Sequence, residues 1–191
     1  MLVIDNYREI LHCLDIDSVV SYCLTCKNHY DSGFWLTKFN NLCLVDDTPN
    51  TLYDWIMVSK KVLYADTKTQ HCMSFILPKI TEQYNNYIYI NFTFDSDVSK
   101  LFPDNFEHKS TMKELDHLDD IYTKKISIRL VPNLYLEYNV YIDKGRLSHT
   151  LYTTITLDIL HTLIYRIYYK DPIYYIEVCY YNGHYYVGKY L

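Results

Sequence analysis

The chain has 191 residues, enough for one domain or two small ones, and 49% of them are hydrophobic, which is ample for a packed core. The net charge is −5 and no stripe of lysine and arginine is present, which argues against a nucleic-acid-binding protein. No segment approaches the ~20 apolar residues of a membrane span, and Asp5 interrupts the short apolar run that a signal peptide would need. We therefore expect an intracellular protein whose cysteines are thiols.

The first 64 residues carry the pattern of four helices, because apolar side chains recur three or four positions apart. Asp5 is the predicted N-cap of the first helix, and Asp17 is the predicted N-cap of the second. A short third helix is expected after Gly33. Thr48 is the predicted cap of the fourth helix, since the proline that follows it fits the first helical position.

From about Phe75 the apolar residues recur at every second position, which predicts strands. Tyr87–Phe94 is the first such run. Three further runs, separated by turns at Pro132-Asn133 and Asp143–Arg146, predict an antiparallel meander. The chain closes with a predicted hairpin around Asn182-Gly183, the strongest short turn signal in the sequence.

Two helices are expected within this β-rich part. A long one is predicted at about residues 156–169, and a short one within the polar stretch Pro103–Tyr122. The sequence thus predicts an α+β protein in two parts. An N-terminal helical module, residues 1–64, is followed by a mainly antiparallel β-sheet module with one long helix, residues 65–191, which would hold a partner or substrate.

The segment Arg8–Asp31 contains residue types in a characteristic order. It consists of Ile10-Leu11, then Leu14, an aspartate-containing turn at Asp15 and Asp17, an amphipathic helix with Val19-Val20 and Cys23-Leu24, then Cys26-Lys27 and Tyr30. This order resembles the F-box motif. Phe34-Trp35 with Phe39 resembles the segment that closes many F-box motifs, and Trp55 lies in a helix similar to the one that often follows. The resemblance covers about a third of the chain and extends to the F-box-like proteins of giant DNA viruses.

The resemblance implies an adaptor that is not itself an enzyme. In F-box proteins the helical bundle binds a Skp-type adaptor, which connects to a cullin–RING ubiquitin ligase, and the C-terminal half holds the protein substrate. Carried over by position, the residues that contact the Skp-type adaptor are Ile10, Leu11, Leu14, Val20 and Leu24. Packing within the bundle is the alternative for each of them. The implied location is the host cytoplasm or nucleus, if the protein is viral.

One feature of the family is missing from this chain. The F-box usually opens with Leu-Pro just before its first helix, whereas this chain has Leu2, Val3 and Ile4 there. A second hypothesis is therefore a structural or virion-associated interaction protein, which keeps the bundle without a ligase role.

A zinc-binding protein is the third hypothesis. Cys23, Cys26 and His29 have a spacing that zinc ligands use, and His12, Cys13 or Cys43 are possible fourth ligands. No second knuckle of matching form is present, and Cys23 falls on the predicted apolar stripe, where a buried thiol is common. The sequence therefore favours no metal and no cofactor.

No catalytic residues are predicted. The chain lacks a Gly-x-Ser-x-Gly elbow and a glycine-rich phosphate loop. Nothing in the sequence brings Cys72 together with His71 or His161 as a thiol–imidazole pair. Three carboxylates near His117 form a short acidic cluster, which we expect to be a solvated loop and not a metal or acid–base site: Asp116, Asp119 and Asp120.

Overall fold

The computed structural model describes residues 9–26, 32–39, 49, 51–81, 88–94, 97–117, 123–129, 134–142, 146–170, 177–180 and 186–187. The chain divides into two compact units, Met1–Thr67 and Lys68–Leu191. The described part of the first unit is helical, and the second unit holds an antiparallel sheet and a long helix. The predicted α+β fold class is confirmed.

The four helices predicted near the N-terminus are present. They are α1 in residues 9–13, α2 in Ile16–Cys26, α3 in Ser32–Phe39 and α4 in Leu52–Thr81. The predicted caps Asp5 and Thr48 lie outside the described residues. Helix α4 begins at Leu52, so the prediction that Pro49 occupies its first position is wrong.

The cap of α4 is Thr51, three residues before Asp54. The Thr51 hydroxyl accepts a hydrogen bond from the backbone N–H of Asp54 at 3.2 Å, and the Asp54 carboxylate accepts one from the backbone N–H of Thr51 at 3.2 Å. This reciprocal capping box satisfies two amide groups at the helix start. The sequence contains two patterns that fit a helix start, Thr51 with Asp54 and Thr48 with Pro49, and the structure uses the first.

Helix α4 is longer than the sequence predicted. Buried residues continue along it at helical spacing: Trp55, Ser59, Val62, Ala65, Thr69, Cys72, Met73 and Ile76. The prediction of strand periodicity from Phe75 is therefore wrong, because the helix runs to Thr81. Polar residues between Asp66 and His71 hid this continuity in the sequence, although Thr69 among them is buried. The predicted module boundary after residue 64 falls inside the helix, near the division of the units after Thr67.

The second unit contains a six-stranded sheet. Its strands are β1 (Ile88–Phe94), β2 (Thr123–Arg129), β3 (Tyr135–Ile142), β4 (Arg146–Thr154), β5 (Glu177–Tyr180) and β6 (Tyr186–Val187). Their order is β4-β3-β2-β1-β5-β6, and every neighbouring pair is antiparallel. The predicted meander is confirmed as β2-β3-β4, and the final hairpin as β5-β6. The predicted turn residues Pro132-Asn133 and Asn182-Gly183 lie outside the described residues.

One face of the meander is buried and the other is partly open. Alternate residues of β2 and β3 are fully buried: Ile126, Ile128, Leu136, Tyr138 and Val140. Their neighbours on the opposite face include Arg129, Tyr135 and Glu137, which are half-buried. This alternation is the physical reason why the strands could be predicted from a period of two.

The long helix of the second unit is α6, Leu157–Lys170, close to the predicted residues 156–169. Every residue from Leu163 to Tyr169 is buried. The Arg166 guanidinium donates hydrogen bonds to the carbonyl oxygens of Lys100 at 2.8 Å and Phe102 at 2.5 Å. It thereby holds a short 3₁₀ turn, Val98–Leu101, beside α6. None of the described helices has both the length and the apolar character that a membrane span requires.

The predicted short helix between Pro103 and Tyr122 is α5, Lys109–Asp116. The segment around it is not simply a solvated loop, because Phe102, Phe106 and Met112 are buried. The rings of Phe102 and Phe106 stack at 4.5 Å between centroids.

Candidate functional site

The five residues that the resemblance assigns to adaptor binding have different environments. Ile10, Leu14 and Leu24 are exposed, with 56%, 39% and 57% of their surface accessible. Val20 is half-buried, and Leu11 is buried with 2% accessible. Three of the five positions therefore present large aliphatic side chains to solvent, whereas Leu11 packs in the interior.

The turn between α1 and α2 is fixed by Asp15. Its carboxylate accepts hydrogen bonds from the backbone N–H of Ser18 at 2.8 Å and from the Ser18 hydroxyl at 2.9 Å. These bonds lower the pKa of Asp15, the bond from the backbone N–H most of all. Asp15 and not the predicted Asp17 is therefore the N-cap of α2, which begins at Ile16.

Lys38 of α3 closes the C-terminal end of α1. Its ammonium group donates hydrogen bonds to the carbonyl oxygens of Leu11 at 3.2 Å, of His12 at 2.8 Å and of Leu14. Burial lowers the pKa of Lys38, although the nearby Asp15 opposes this shift. A lysine at the end of a helix satisfies carbonyl groups that have no partner within the helix. The contact therefore fixes the backbone that carries the exposed Leu14.

Aromatic rings from α3 and α4 form a cluster in the interior of the first unit. Trp35 stacks on Trp55 at 5.7 Å between centroids and on Phe39 at 5.9 Å. Phe34 meets Trp35 edge-on at 5.4 Å, and His12 of α1 lies 4.6 Å from Phe34. The aromatic segment that resembles the end of the F-box is thus the core that holds α1, α3 and the start of α4 together.

A second exposed apolar face lies on α4. Tyr53, Met57 and Tyr64 are exposed at 69%, 42% and 38%. Their spacing of four and seven residues places them on one side of the helix. This face was not predicted from the sequence, because the buried stripe dominates the apolar pattern of the helix.

The cysteines near the N-terminus do not form a metal site within the described residues. Cys23 is buried, and burial raises the pKa of its thiol, which opposes the thiolate form that binds zinc. Cys13 and Cys26 are exposed, while His29 and Cys43 lie outside the described residues. No group of three or more metal-ligating side chains occurs among the residues that are described.

Cys72, the other candidate from the sequence, lies in the second half of α4. It is buried, and burial raises the pKa of its thiol to about 12. Such a thiol remains protonated at neutral pH and is a poor nucleophile. The neighbouring His71 is exposed, whereas His161 on α6 is half-buried.

Asp116 is not part of a solvated loop, and that expectation is wrong for this residue. Its side chain is 2% exposed and forms an ion pair with Lys124 of β2 at 3.2 Å. It accepts hydrogen bonds from the Tyr138 hydroxyl at 2.6 Å and from the backbone N–H of Ser99 at 2.7 Å. Asp119 and Asp120 lie outside the described residues. The partners of Asp116 come from three other segments, so no local sequence pattern could reveal them.

Asp97, whose side chain is 32% exposed, extends this network towards the surface. Its carboxylate accepts hydrogen bonds from the Ser99 hydroxyl at 2.6 Å and the Ser99 backbone N–H at 3.1 Å. Burial, followed by the hydrogen bond with Asp97, raises the pKa of Asp116. Burial opposes the change at Asp97, but the hydrogen bond with Asp116 and those with Ser99 lower its pKa to about 2. Asp116 therefore holds its proton more tightly than Asp97 does.

Comparison with known proteins gave no relative: no protein-family model, no curated protein and no solved structure matches this chain.

Proposed function

We propose that the chain is an F-box-like adaptor that recruits a protein substrate to a Skp–cullin–RING ubiquitin ligase. The observation that carries the proposal is the exposure of Ile10, Leu14 and Leu24 at positions where the F-box motif contacts its Skp-type adaptor. Large aliphatic side chains on a surface favour a protein partner, because their burial removes apolar area from water. If the protein is viral, it acts on the ligase of its host, in the cytoplasm or the nucleus.

The energy available at this surface is adequate for a specific contact. Complete burial of one leucine or isoleucine side chain contributes about 1.5–3 kcal/mol. Three such residues can therefore be decisive for binding, even though each is already partly covered. Leu11 supports the same surface indirectly, since it is buried on the helix that carries Ile10.

A pull-down on an immobilised Skp-type adaptor tests the proposal. Leu14→Asp combined with Leu24→Asp places charge on two exposed positions, which the fold should tolerate. Leu11→Asp is unsuitable because a buried carboxylate would unfold the bundle. Leu147→Asp is the matched control, since Leu147 is also exposed, at 55%, but lies on β4.

We expect wild type and the Leu147→Asp variant to recover the adaptor, and the double variant to recover at least about tenfold less, which corresponds to ~1.4 kcal/mol. Equally low recovery by all three proteins would remove the ligase role.

The alternative is a structural or virion-associated interaction protein with an F-box-shaped bundle. Two observations favour it. The chain lacks the Leu-Pro that usually opens the motif, and α4 carries a further exposed apolar face with Tyr53 and Met57. Stoichiometric amounts of the protein in purified particles, together with no adaptor recovery, would support this role. Its absence from particles would count against it.

A further inference from the structure

Strand β4 forms one edge of the sheet in the second unit. It is nine residues long, Arg146–Thr154, and β3 is its one neighbour in the strand order of the described sheet. Six successive residues, His149–Thr154, pair with β3 in unbroken register. A long and regular edge is a template for another strand, because it presents a row of N–H and C=O groups that the neighbouring strand does not bind.

The hydrogen-bond pattern between β3 and β4 shows which backbone groups of β4 point away from the sheet. The N–H of Ile155 donates to the carbonyl oxygen of Leu134 at 3.1 Å, just beyond the ends of β4 and β3. In an antiparallel pair, hydrogen-bonded and non-hydrogen-bonded positions alternate along the strand. The N–H and C=O groups of Thr150, Tyr152 and Thr154 therefore point away from β3. The Thr154 carbonyl oxygen also accepts a hydrogen bond from the Thr153 hydroxyl at 3.3 Å.

The edge has few of the features that prevent strand addition. Residues 147–154 contain no lysine, arginine, aspartate, glutamate or proline. An irregularity between Val140 and Tyr141 of β3 disturbs the pairing near the start of β4 and leaves the regular segment from His149 intact. Leu147 and Tyr152 of this strand are exposed, at 55% and 54%.

Two depressions flank the outer part of β4. The first, of about 240 Å³, lies on the open face of the sheet, where Tyr152 lines it together with Tyr135 and Glu137. The second, of about 490 Å³, lies at the end of β4 and is lined by Thr153, Thr154, Phe106, Glu107, Asp158 and Ile159. Side chains of an added strand would alternate between the two faces, so both depressions are within reach of one extended segment.

The charge of the larger depression indicates which side chain of a partner would fit there. Glu107 and Asp158 are its charged lining residues, both acidic and both exposed. The smaller depression is lined by one acidic and one basic residue, Glu137 and Arg129, and the Arg129 guanidinium carbon lies 5.1 Å from the Tyr135 ring centroid. A lysine or arginine side chain is therefore the complement of the larger depression.

We propose that the β4 edge binds an extended segment of a protein partner, which adds a strand beside Thr150–Thr154 and places a lysine or arginine in the depression at Glu107 and Asp158. The inference rests on the proposed function only where it identifies this partner with the recruited substrate. The binding surface itself belongs to the second unit.

Fluorescein-labelled peptides of ten residues test the inference on the full chain. Each peptide alternates valine and threonine, and a single lysine is moved through the ten positions so that the unknown register is covered. The matched series has glutamate in place of lysine. We expect saturable binding by anisotropy for at least one lysine peptide, with the corresponding glutamate peptide at least tenfold weaker. No saturation in the lysine series up to millimolar concentration would overturn the inference, and equal affinities in both series would overturn its charge selectivity.

Variants of β4 distinguish strand addition from nonspecific peptide binding. Thr154→Pro removes an outward N–H without removing a hydrogen bond to β3, and should weaken the best lysine peptide about tenfold. Thr154→Val keeps that N–H and is the matched control, so it should retain most of the affinity that Thr154→Pro loses. If Thr154→Pro fails to fold, Glu107→Lys combined with Asp158→Lys provides a second test, since it should reverse the preference to glutamate peptides. Unchanged peptide affinity in a folded Thr154→Pro variant, or an unchanged preference for lysine peptides in the Glu107→Lys/Asp158→Lys variant, would contradict the inference.

Two further controls distinguish the other outcomes. The Leu14→Asp/Leu24→Asp variant should bind the peptides normally, so failure of the ligase proposal and failure of this inference are separable. Sedimentation of the chain without peptide shows whether a second copy already occupies the β4 edge. A dimer that Thr154→Pro dissociates would mean that a second copy fills the edge, and would overturn the peptide inference.

Discussion

Among the described residues of the second unit, Asp116 is a buried carboxylate that forms an ion pair with Lys124 and accepts hydrogen bonds from Ser99 and Tyr138. Its carboxylate and the ammonium of Lys124 are 2% and 8% exposed. Removing one partner of a buried pair leaves the other charge in a poorly hydrated site, whereas replacing both by neutral side chains avoids that cost.

Asp116→Asn is therefore expected to lower the free energy of unfolding by about 3 kcal/mol, because Lys124 loses this carboxylate. Lys124→Met should cost a similar amount alone, and the double variant should be more stable than either single one. Urea denaturation of all four proteins, followed by circular dichroism, measures the coupling. Simple additivity of the two losses would contradict a buried ion pair.

The contributions of Asp97 and Asp116 to the stability of the second unit change with pH in opposite directions. The pKa of Asp97 in the folded chain is about 2, below the usual 3.8, so its stabilising contribution is present above pH 3.8 and is lost as the pH falls towards 2. The pKa of Asp116 is raised above 3.8, so its contribution is present below that pH and is lost as the pH rises through its folded pKa.

Ser99→Ala tests the Asp97 part of this dependence. The variant loses the hydrogen bond from the Ser99 hydroxyl to Asp97, so the pKa of Asp97 should rise towards 3.8. We expect a loss of about 1 kcal/mol in the free energy of unfolding at neutral pH and a shallower dependence between pH 2 and 4. NMR titration of the side-chain carboxyl carbons follows both residues directly. Ser110→Ala, on the exposed side of α5, is the control and should leave the titration unchanged.

Among single residues, the sequence showed which side chains are apolar but not which of them pack. Ile10 and Leu11 are adjacent, yet one is 56% exposed and the other 2%. Neighbours on a helix point about 100° apart, so the helical stripe is visible in the sequence, whereas the face that meets other helices depends on the tertiary structure. The burial of Asp116 was not predicted for the same reason, since its partners Tyr138 and Ser99 are 22 and 17 positions away in the sequence.

Among the elements, the turn between α1 and α2 depends on Lys38, which lies on α3. Lys38→Met removes the ammonium that binds the carbonyl oxygens of Leu11, His12 and Leu14. We expect the first unit to lose about 2 kcal/mol of unfolding free energy. Tryptophan fluorescence during urea unfolding reports on this unit, because both tryptophans of the chain, Trp35 and Trp55, lie in it. Lys60→Met on the exposed side of α4 is the control, and an equal loss in that variant would contradict a specific role for Lys38.

The elements themselves were largely predictable. Strands β2, β3 and β4 alternate between a buried and an open face, and that alternation is directly visible in the sequence. Helix α4 is longer than predicted: Asp66, Lys68 and Gln70 interrupt its apolar pattern in the sequence, although Thr69 keeps the buried stripe continuous. Its N-cap is Thr51 and not the predicted Thr48. The sequence does not distinguish the two, since Thr51 with Asp54 and Thr48 with Pro49 both satisfy the usual rules for a helix start.

For the whole molecule, the two proposed binding surfaces lie in different units. The first unit presents Ile10, Leu14 and Leu24, and the second presents the outer edge of β4. An adaptor needs two such surfaces, because it must bind its ligase and its substrate at the same time. The resemblance to the F-box led to the first surface. The second became visible only with the strand order, which a sequence does not specify beyond the meander.

The most direct measurement is calorimetric titration of the purified full chain with a purified Skp-type adaptor. The account predicts saturable 1:1 binding with a negative heat-capacity change, as expected when apolar surface is buried. It also predicts loss of that binding in the Leu14→Asp/Leu24→Asp variant and its retention in Leu147→Asp. Absence of binding by wild type, or equal binding by all three proteins, would contradict the claim that this helical surface recruits the ligase.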